Sequence, residues 1–201
     1  NKTIMILAEG TTKAEKRLRP IKKGTARLAF GVLDKYPDIQ DVYVVPVGVN
    51  FDYMDRFRAE VMIDFGVPIQ VRDYYEVYQT NNAEGTDRFT EELSGRMRAL
   101  IVSVENESDD ILAEQLLVME RSRRRFSLWP VLVNNAELLR QEQAVADFIN
   151  QLSSQDNAAL TDRCGRYFEA MQKAGISDRA VSASKKDSLA EKVLLIAGSP
   201  V

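Results

Sequence analysis

The sequence predicts an α/β fold in which a partial, mainly parallel sheet (βαββ) is followed by a mostly helical extension. Three observations carry that reading. Short apolar runs rich in β-branched residues at 3–8, 42–49 and 61–65 are interleaved with a helical pattern at about 24–36. After about residue 80 the apolar spacing changes to the helical period. The composition is that of a folded globular chain: 45% of the 201 residues are hydrophobic and 28% charged, with only 10 Gly and 6 Pro. That excludes collagen-like and largely disordered classes. The expected domains are residues 1–80, the C-terminal portion of an α/β domain, and residues 81–201, the helical extension.

Each element has a local reason. The run Thr3-Ile-Met-Ile-Leu-Ala8 is continuous and apolar, the pattern of a strand buried on both faces. Such a strand needs sheet neighbours, so the chain is expected to begin inside a fold. A helix is expected from about Lys23-Gly24, with Ala26, Leu28, Ala29, Val32 and Leu33 on its apolar side and Tyr36-Pro37 ending it. Val42–Val49 then reads as one buried strand, which completes a βαβ unit with a right-handed crossover. Pro46 within it marks a bulge or edge. Val61, Ile63 and Phe65 alternate with Met62 and Asp64 as a third strand, ended by Gly66-Val-Pro68. In the second half, Thr86 is expected to cap a helix carrying Phe89, Leu93, Met97, Leu100, Ile101 and Val104. Further helices are expected at about 109–124, 136–153, 158–174 (stopped by Gly175) and 186–197.

Histidine does not occur in the chain and cysteine occurs once. Ser-His-Asp and Cys-His chemistry, His-based zinc sites and an internal disulfide are therefore excluded within these residues. No metal site is expected, and no run of apolar residues reaches the roughly 20 residues of a membrane span. The net charge of −3 argues against a nucleic-acid partner. Its distribution is uneven. Eight Lys or Arg against Glu9 and Glu15 give residues 1–27 a net charge of +6, leaving −9 to the rest. A basic loop following a strand and opening a helix at Gly24 suits an anion such as phosphate, although a solvated lysine-rich loop has the same composition. Cys164 shares a helical face with Leu160, Phe168 and Met171 and reads as a core thiol. Arg121, Arg123, Arg124 and Arg125 precede Phe126-Ser-Leu-Trp129, either a solvated helix end or a membrane-surface patch with an aromatic anchor.

Four blocks in order, Ile4–Thr12 with its Glu9-Gly10-Thr11 core, Arg19–Ala29 with Lys23-Gly24, Val44–Asn50 with Val45-Pro46-Val47, and Phe57–Pro68, resemble the glycerolipid acyltransferase family. The family is typified by 1-acylglycerol-3-phosphate acyltransferase, and the later helices look like the extension of a bacterial subgroup. Where the family block usually reads Phe-Pro-Glu-Gly-Thr-Arg-Ser, this chain reads Leu7-Ala-Glu-Gly-Thr-Thr-Lys13. The resemblance implies transfer of an acyl chain from an acyl thioester, on coenzyme A or acyl carrier protein, to a lysophospholipid or glycerol phosphate. It implies no further cofactor. Family catalysis rests on a His-x-x-x-x-Asp motif upstream of the Glu-Gly-Thr block, so no catalytic residue is expected here, and the chain alone is expected to be inactive. By the same resemblance Glu9, Gly10 and Thr11 form the acceptor-binding block. The family arginine has become Thr12, so the phosphate charge must come from Lys13, Arg19, Lys22 or Lys23, with Lys22 and Lys23 expected as substrate-binding residues.

Two other classes compete with the enzyme: a non-catalytic phospholipid- or anion-binding module, and a purely structural helical domain. The apolar run Lys192–Val201 is expected to lead past Val201 into a segment at the bilayer. The parent is expected at the cytoplasmic face of the inner membrane.

Overall fold

A computed structural model describes residues 3–10, 15–53, 59–124 and 136–183. The chain divides into two compact units, Asn1–Ser103 and Val104–Val201.

In the first unit, helix α1 (Gly24–Lys35) is followed by strands β1 (Tyr43–Val44), β2 (Val47–Phe51), β3 (Val61–Phe65) and β4 (Ile69–Gln70), then by helices α2 (Tyr75–Thr80) and α3 (Asn82–Arg98). The expected parallel sheet does not form. Two small antiparallel sheets stand in its place: β1 pairs with β4, and β2 pairs with β3 in the register Val47↔Phe65, Val49↔Ile63, Phe51↔Val61. The physical causes are local. Pro46 supplies no N–H for a ladder, so the Val42–Val49 run splits into β1 and β2, which belong to different sheets. Strands joined by a short connection pair as hairpins, whereas a parallel pair needs a crossover to a second, aligned strand. The run at 3–8 would have to be that strand, yet it forms no regular element. Ile4 is 74%, Met5 89% and Leu7 71% exposed.

The core of this unit lies between α1, β4 and α3. Ala26, Ala29, Phe30 and Leu33 of α1 meet Ile69, Val71, Phe89 and Leu93. Phe30 stacks on Tyr78 at 4.2 Å between ring centroids and meets Phe89 edge-on at 5.6 Å. Burying such a ring stabilises the fold by about 1.5–3 kcal/mol. Asp34 fastens α2 to α1 by accepting hydrogen bonds from the Tyr75 and Tyr78 hydroxyls, at 2.7 and 3.2 Å. The side chain capping α3 is Asn81, which accepts from the Glu84 N–H. Thr86, the expected cap, lies inside the helix and donates to the Asn82 carbonyl.

The second unit contains α4 (Asp110–Ser122), α5 (Glu137–Asn150), α6 (Ser154–Ala174) and α7 (Asp178–Ala183), and no strand among its described residues. Ser153 caps α6 by accepting the Asp156 N–H, so that helix starts four residues before the expected Ala158. Gly175 ends it at φ 65°, a left-handed position that glycine adopts without a Cβ clash. Cys164 is buried, and that burial pushes its thiol pKa up. Two arginines of the cluster, Arg121 and Arg124, are turned inward, whereas Arg123 is exposed and pairs with Glu120. Arg121 makes two bonds to the fully buried Glu142, at 2.9 and 2.8 Å, and Arg124 meets the same carboxylate at 3.1 Å. Arg125, Phe126–Trp129, the expected helix at 186–197 and the closing apolar run lie outside the described residues. No helix among the described residues is long and apolar enough to cross a membrane.

Candidate functional site

The loop between the 3–8 run and α1 folds back on itself around Gly10. The Gly10 N–H bonds the Leu7 carbonyl at 3.0 Å, closing a turn with Gly10 at φ 69°. Glycine takes that conformation freely, whereas a side chain would be strained. The segment leading into α1 returns beside the 3–8 run: the Lys22 N–H donates to the Ala8 carbonyl at 3.0 Å. That bond lays the Lys22 side chain across the turn, where a Cβ on Gly10 would sit 2.9 Å from Nζ. Glycine is thus required here for φ, while the nearby tip of Lys22 is flexible and could shift.

Glu9 is half-buried, and its Oε2 accepts the Arg19 N–H at 3.1 Å. One carboxylate oxygen therefore fixes the loop, and carboxylate chemistry leaves further acceptor capacity on the other. Thr11, Thr12 and Lys13 lie outside the described residues.

The cations of the loop separate into two kinds. Arg19 forms a bidentate pair with Glu15, four residues earlier in the non-helical loop, at 2.9 and 3.1 Å. Lys16 Nζ donates to the Phe51 carbonyl at 3.3 Å. Lys23, the residue before α1, pairs with the Asp87 carboxylate of α3. Lys22 is exposed and makes no ion pair with any described carboxylate. The structure thus brings Glu9, Gly10 and Lys22 together and directs Lys23 away to α3. Sequence reasoning missed Asp87, which lies 64 positions from Lys23; only the packing of α1 on α3 joins them. The Glu15–Arg19 spacing was the visible signal for the other pairing.

Two open grooves, of about 540 and 560 Å³, run along α3, and neither is lined by Glu9, Gly10, Lys22 or Lys23. The second, lined by Ile21, Asp87, Thr90, Glu91, Ser94 and Arg98, carries two carboxylates and is poorly suited to an anion. Among the described residues no group of three or more His, Cys, Asp or Glu is placed to hold a metal ion.

The chain is 25% identical over 178 residues to Glycerol-3-phosphate O-acyltransferase 1 of Saccharomyces cerevisiae, covering 80% of this chain and 22% of that protein. It is 29% identical over 122 residues to Glycerol-3-phosphate O-acyltransferase 2 of the same yeast, covering 60% of this chain and 16% of the relative. An uncharacterized acyltransferase of Schizosaccharomyces pombe is 26% identical over 127 residues, covering 61% and 18%. The chain therefore spans about a fifth of the length of these relatives, which are yeast proteins rather than members of a bacterial subgroup. No protein-family profile matches the chain, and no solved structure matches it significantly. The likeness to these three proteins supports an acyltransferase family for the chain.

Proposed function

We propose that this chain is the acceptor-binding part of a longer enzyme that transfers an acyl group from an acyl thioester to glycerol phosphate. The names of the two Saccharomyces relatives favour glycerol 3-phosphate over a lysophospholipid as acceptor, and enzymes among the relatives do not favour the non-catalytic binding module. The observation that carries the reading is the Gly10 turn. It holds Lys22 as an exposed cation over Gly10, the residue after Glu9, while the neighbouring Arg19 and Lys23 are already neutralised.

In this reading Lys22 binds the acceptor phosphate by a charge-assisted hydrogen bond, and the second oxygen of Glu9 accepts from a glycerol hydroxyl. Thr11, next in the chain, supplies a hydroxyl donor to a phosphate oxygen. The acceptor hydroxyl attacks the thioester carbonyl, its proton passes to a general base, and the thiol leaves. With no histidine in these residues, that base belongs to another part of the enzyme. The acyl donor is a thioester of coenzyme A or acyl carrier protein, no further cofactor takes part, and the reaction runs at a cytoplasmic membrane face, where an acylated product belongs by its apolar chain.

The test is steady-state kinetics of the intact gene product carrying Lys22→Glu with Lys23→Glu. A charge-assisted phosphate bond contributes about 1.5–3 kcal/mol, so the acceptor KM is expected to rise more than tenfold. An unchanged KM would remove the acceptor from this loop. The 201-residue chain alone is expected to show no acyl transfer, and turnover by it would overturn the division of labour.

A further inference from the structure

Residues 1–27 hold two carboxylates among eight Lys or Arg, and both carboxylates converge on Arg19. Glu9, ten positions earlier, accepts the Arg19 N–H through Oε2 at 3.1 Å. Glu15, four positions earlier, accepts from the guanidinium instead. Nη2 donates to Oε1 at 2.9 Å and to Oε2 at 3.0 Å, and Nε donates to Oε2 at 3.1 Å. Pro20 prepares the bond to Glu9: a following proline disfavours helical backbone at Arg19, which leaves its N–H for a partner distant in sequence. The pair is sheltered, with 29% of the Arg19 side chain and 24% of the Glu15 side chain exposed, unlike the solvated pairs that contribute little. The loop is pinned on either side of Arg19. Lys16 donates to the Phe51 carbonyl at the end of β2, and the Lys22 N–H bonds the Ala8 carbonyl.

We propose that Arg19 and Glu15 are positioning residues of the acceptor site, acting through Glu9. The proposal rests on the reading that Glu9 and Lys22 receive the acceptor. Glu15 clamps the guanidinium at two points, which sets direction as well as distance. The clamped side chain places the Arg19 N–H, and that N–H occupies one oxygen of Glu9 and turns the other toward the glycerol hydroxyl. Neither side chain touches the acceptor: the Arg19 charge is spent on Glu15, and the phosphate goes to Lys22. A carboxylate ordered before the acceptor arrives costs less to engage, so the clamp shows in acceptor affinity.

The experiment is steady-state kinetics of the intact gene product, with glycerol 3-phosphate and acyl-coenzyme A varied in turn. Glu15→Ala is expected to raise the acceptor KM by about fivefold and to leave the donor KM within about twofold. Arg19→Ala removes the clamp and keeps the N–H, so it should match, and it carries the test should Glu15→Ala fold poorly. In a Glu9→Ala background, which itself raises the acceptor KM, either change should add nothing. An acceptor KM unchanged by either alanine would overturn the proposal. So would a lowered one, which would make the released Arg19 a phosphate ligand. A parallel rise in donor KM, or a full further rise in the Glu9→Ala background, would reduce the pair to general support of the fold. The acceptor reading fails separately, if Glu9→Ala and Lys22→Ala themselves leave the acceptor KM unchanged. Effects of those two with none from Glu15→Ala would refute the positioning pair alone.

Discussion

Gly48 and Lys22 show how single residues in the first unit are constrained by their neighbours rather than by their own type. A Cβ at 48 would strike the Leu100 backbone, which cannot turn aside as a flexible side chain could. Gly48→Ala is therefore expected to destabilise the first unit by about 2–4 kcal/mol, read as a lower urea midpoint. A midpoint unchanged from the parent would show that the 99–103 segment yields. At the candidate loop the two lysines are expected to behave differently. Lys22→Ala should raise the acceptor KM of the intact enzyme by about tenfold or more, from loss of one charge-assisted bond. Lys23→Ala should change it less than threefold, because Lys23 is held by Asp87, an exposed pair of the kind that contributes little to stability. Equal effects of the two changes would refute the assignment of the phosphate to Lys22.

Among the elements, α4 and α5 are joined by a buried charge that has two guanidinium partners. Glu142 is fully buried between Arg121 and Arg124. Its removal takes the buried carboxylate from Arg124 and leaves Arg121 with the more exposed Glu114 at 3.4 Å, so Glu142→Leu is expected to cost about 3–5 kcal/mol. Combining it with Arg121→Met should recover part of that loss in a double-mutant cycle, and strict additivity would mean the groups do not couple. Helix α7 is attached differently. Asp178 accepts hydrogen bonds from the Ser122 hydroxyl of α4 and, at 2.5 Å, from the Tyr167 hydroxyl of α6. The hydrogen bond to Asp178, with burial and the aspartate charge behind it, pushes the Tyr167 pKa up to about 12. Because the folded state holds the proton more tightly than the unfolded one, this contribution is intact below about pH 10 and is lost as pH rises through about 12. An alkaline weakening of the second unit is expected in that window, and Tyr167→Phe should remove it from the difference between the two stability–pH curves.

For the molecule as a whole, two compact units with separate cores are expected to unfold in two steps. Calorimetry should show two transitions, with Gly48→Ala lowering one and Glu142→Leu lowering the other. A single transition shifted by both variants would show one cooperative unit.

The sequence by itself determined most of the helices, together with the acidic net charge and the lack of any histidine chemistry. It did not determine α2, α7 or the end of α3 at Arg98, before Leu100, Ile101 and Val104. Helices α1 and α3–α6 were legible because a helix satisfies its own backbone and needs only a periodic apolar face, and Gly175 stops α6 by local conformation alone. Glu9, Gly10 and Thr11 were legible as a block through resemblance and Lys22 as one of the cations near it, but the turn that crosses Lys22 over Gly10 was not legible. Strand partners were not legible, since a strand's hydrogen bonds are made to residues far away in sequence. The 3–8 run has a strand's composition and no partner, while Pro46 divides what looked like one strand between two sheets. The fate of each charge was equally a matter of packing: Asp87 takes Lys23, and Glu142 draws Arg121 and Arg124 inward. Only the tertiary structure could decide these, because ion pairing and strand pairing are set by which distant surfaces meet.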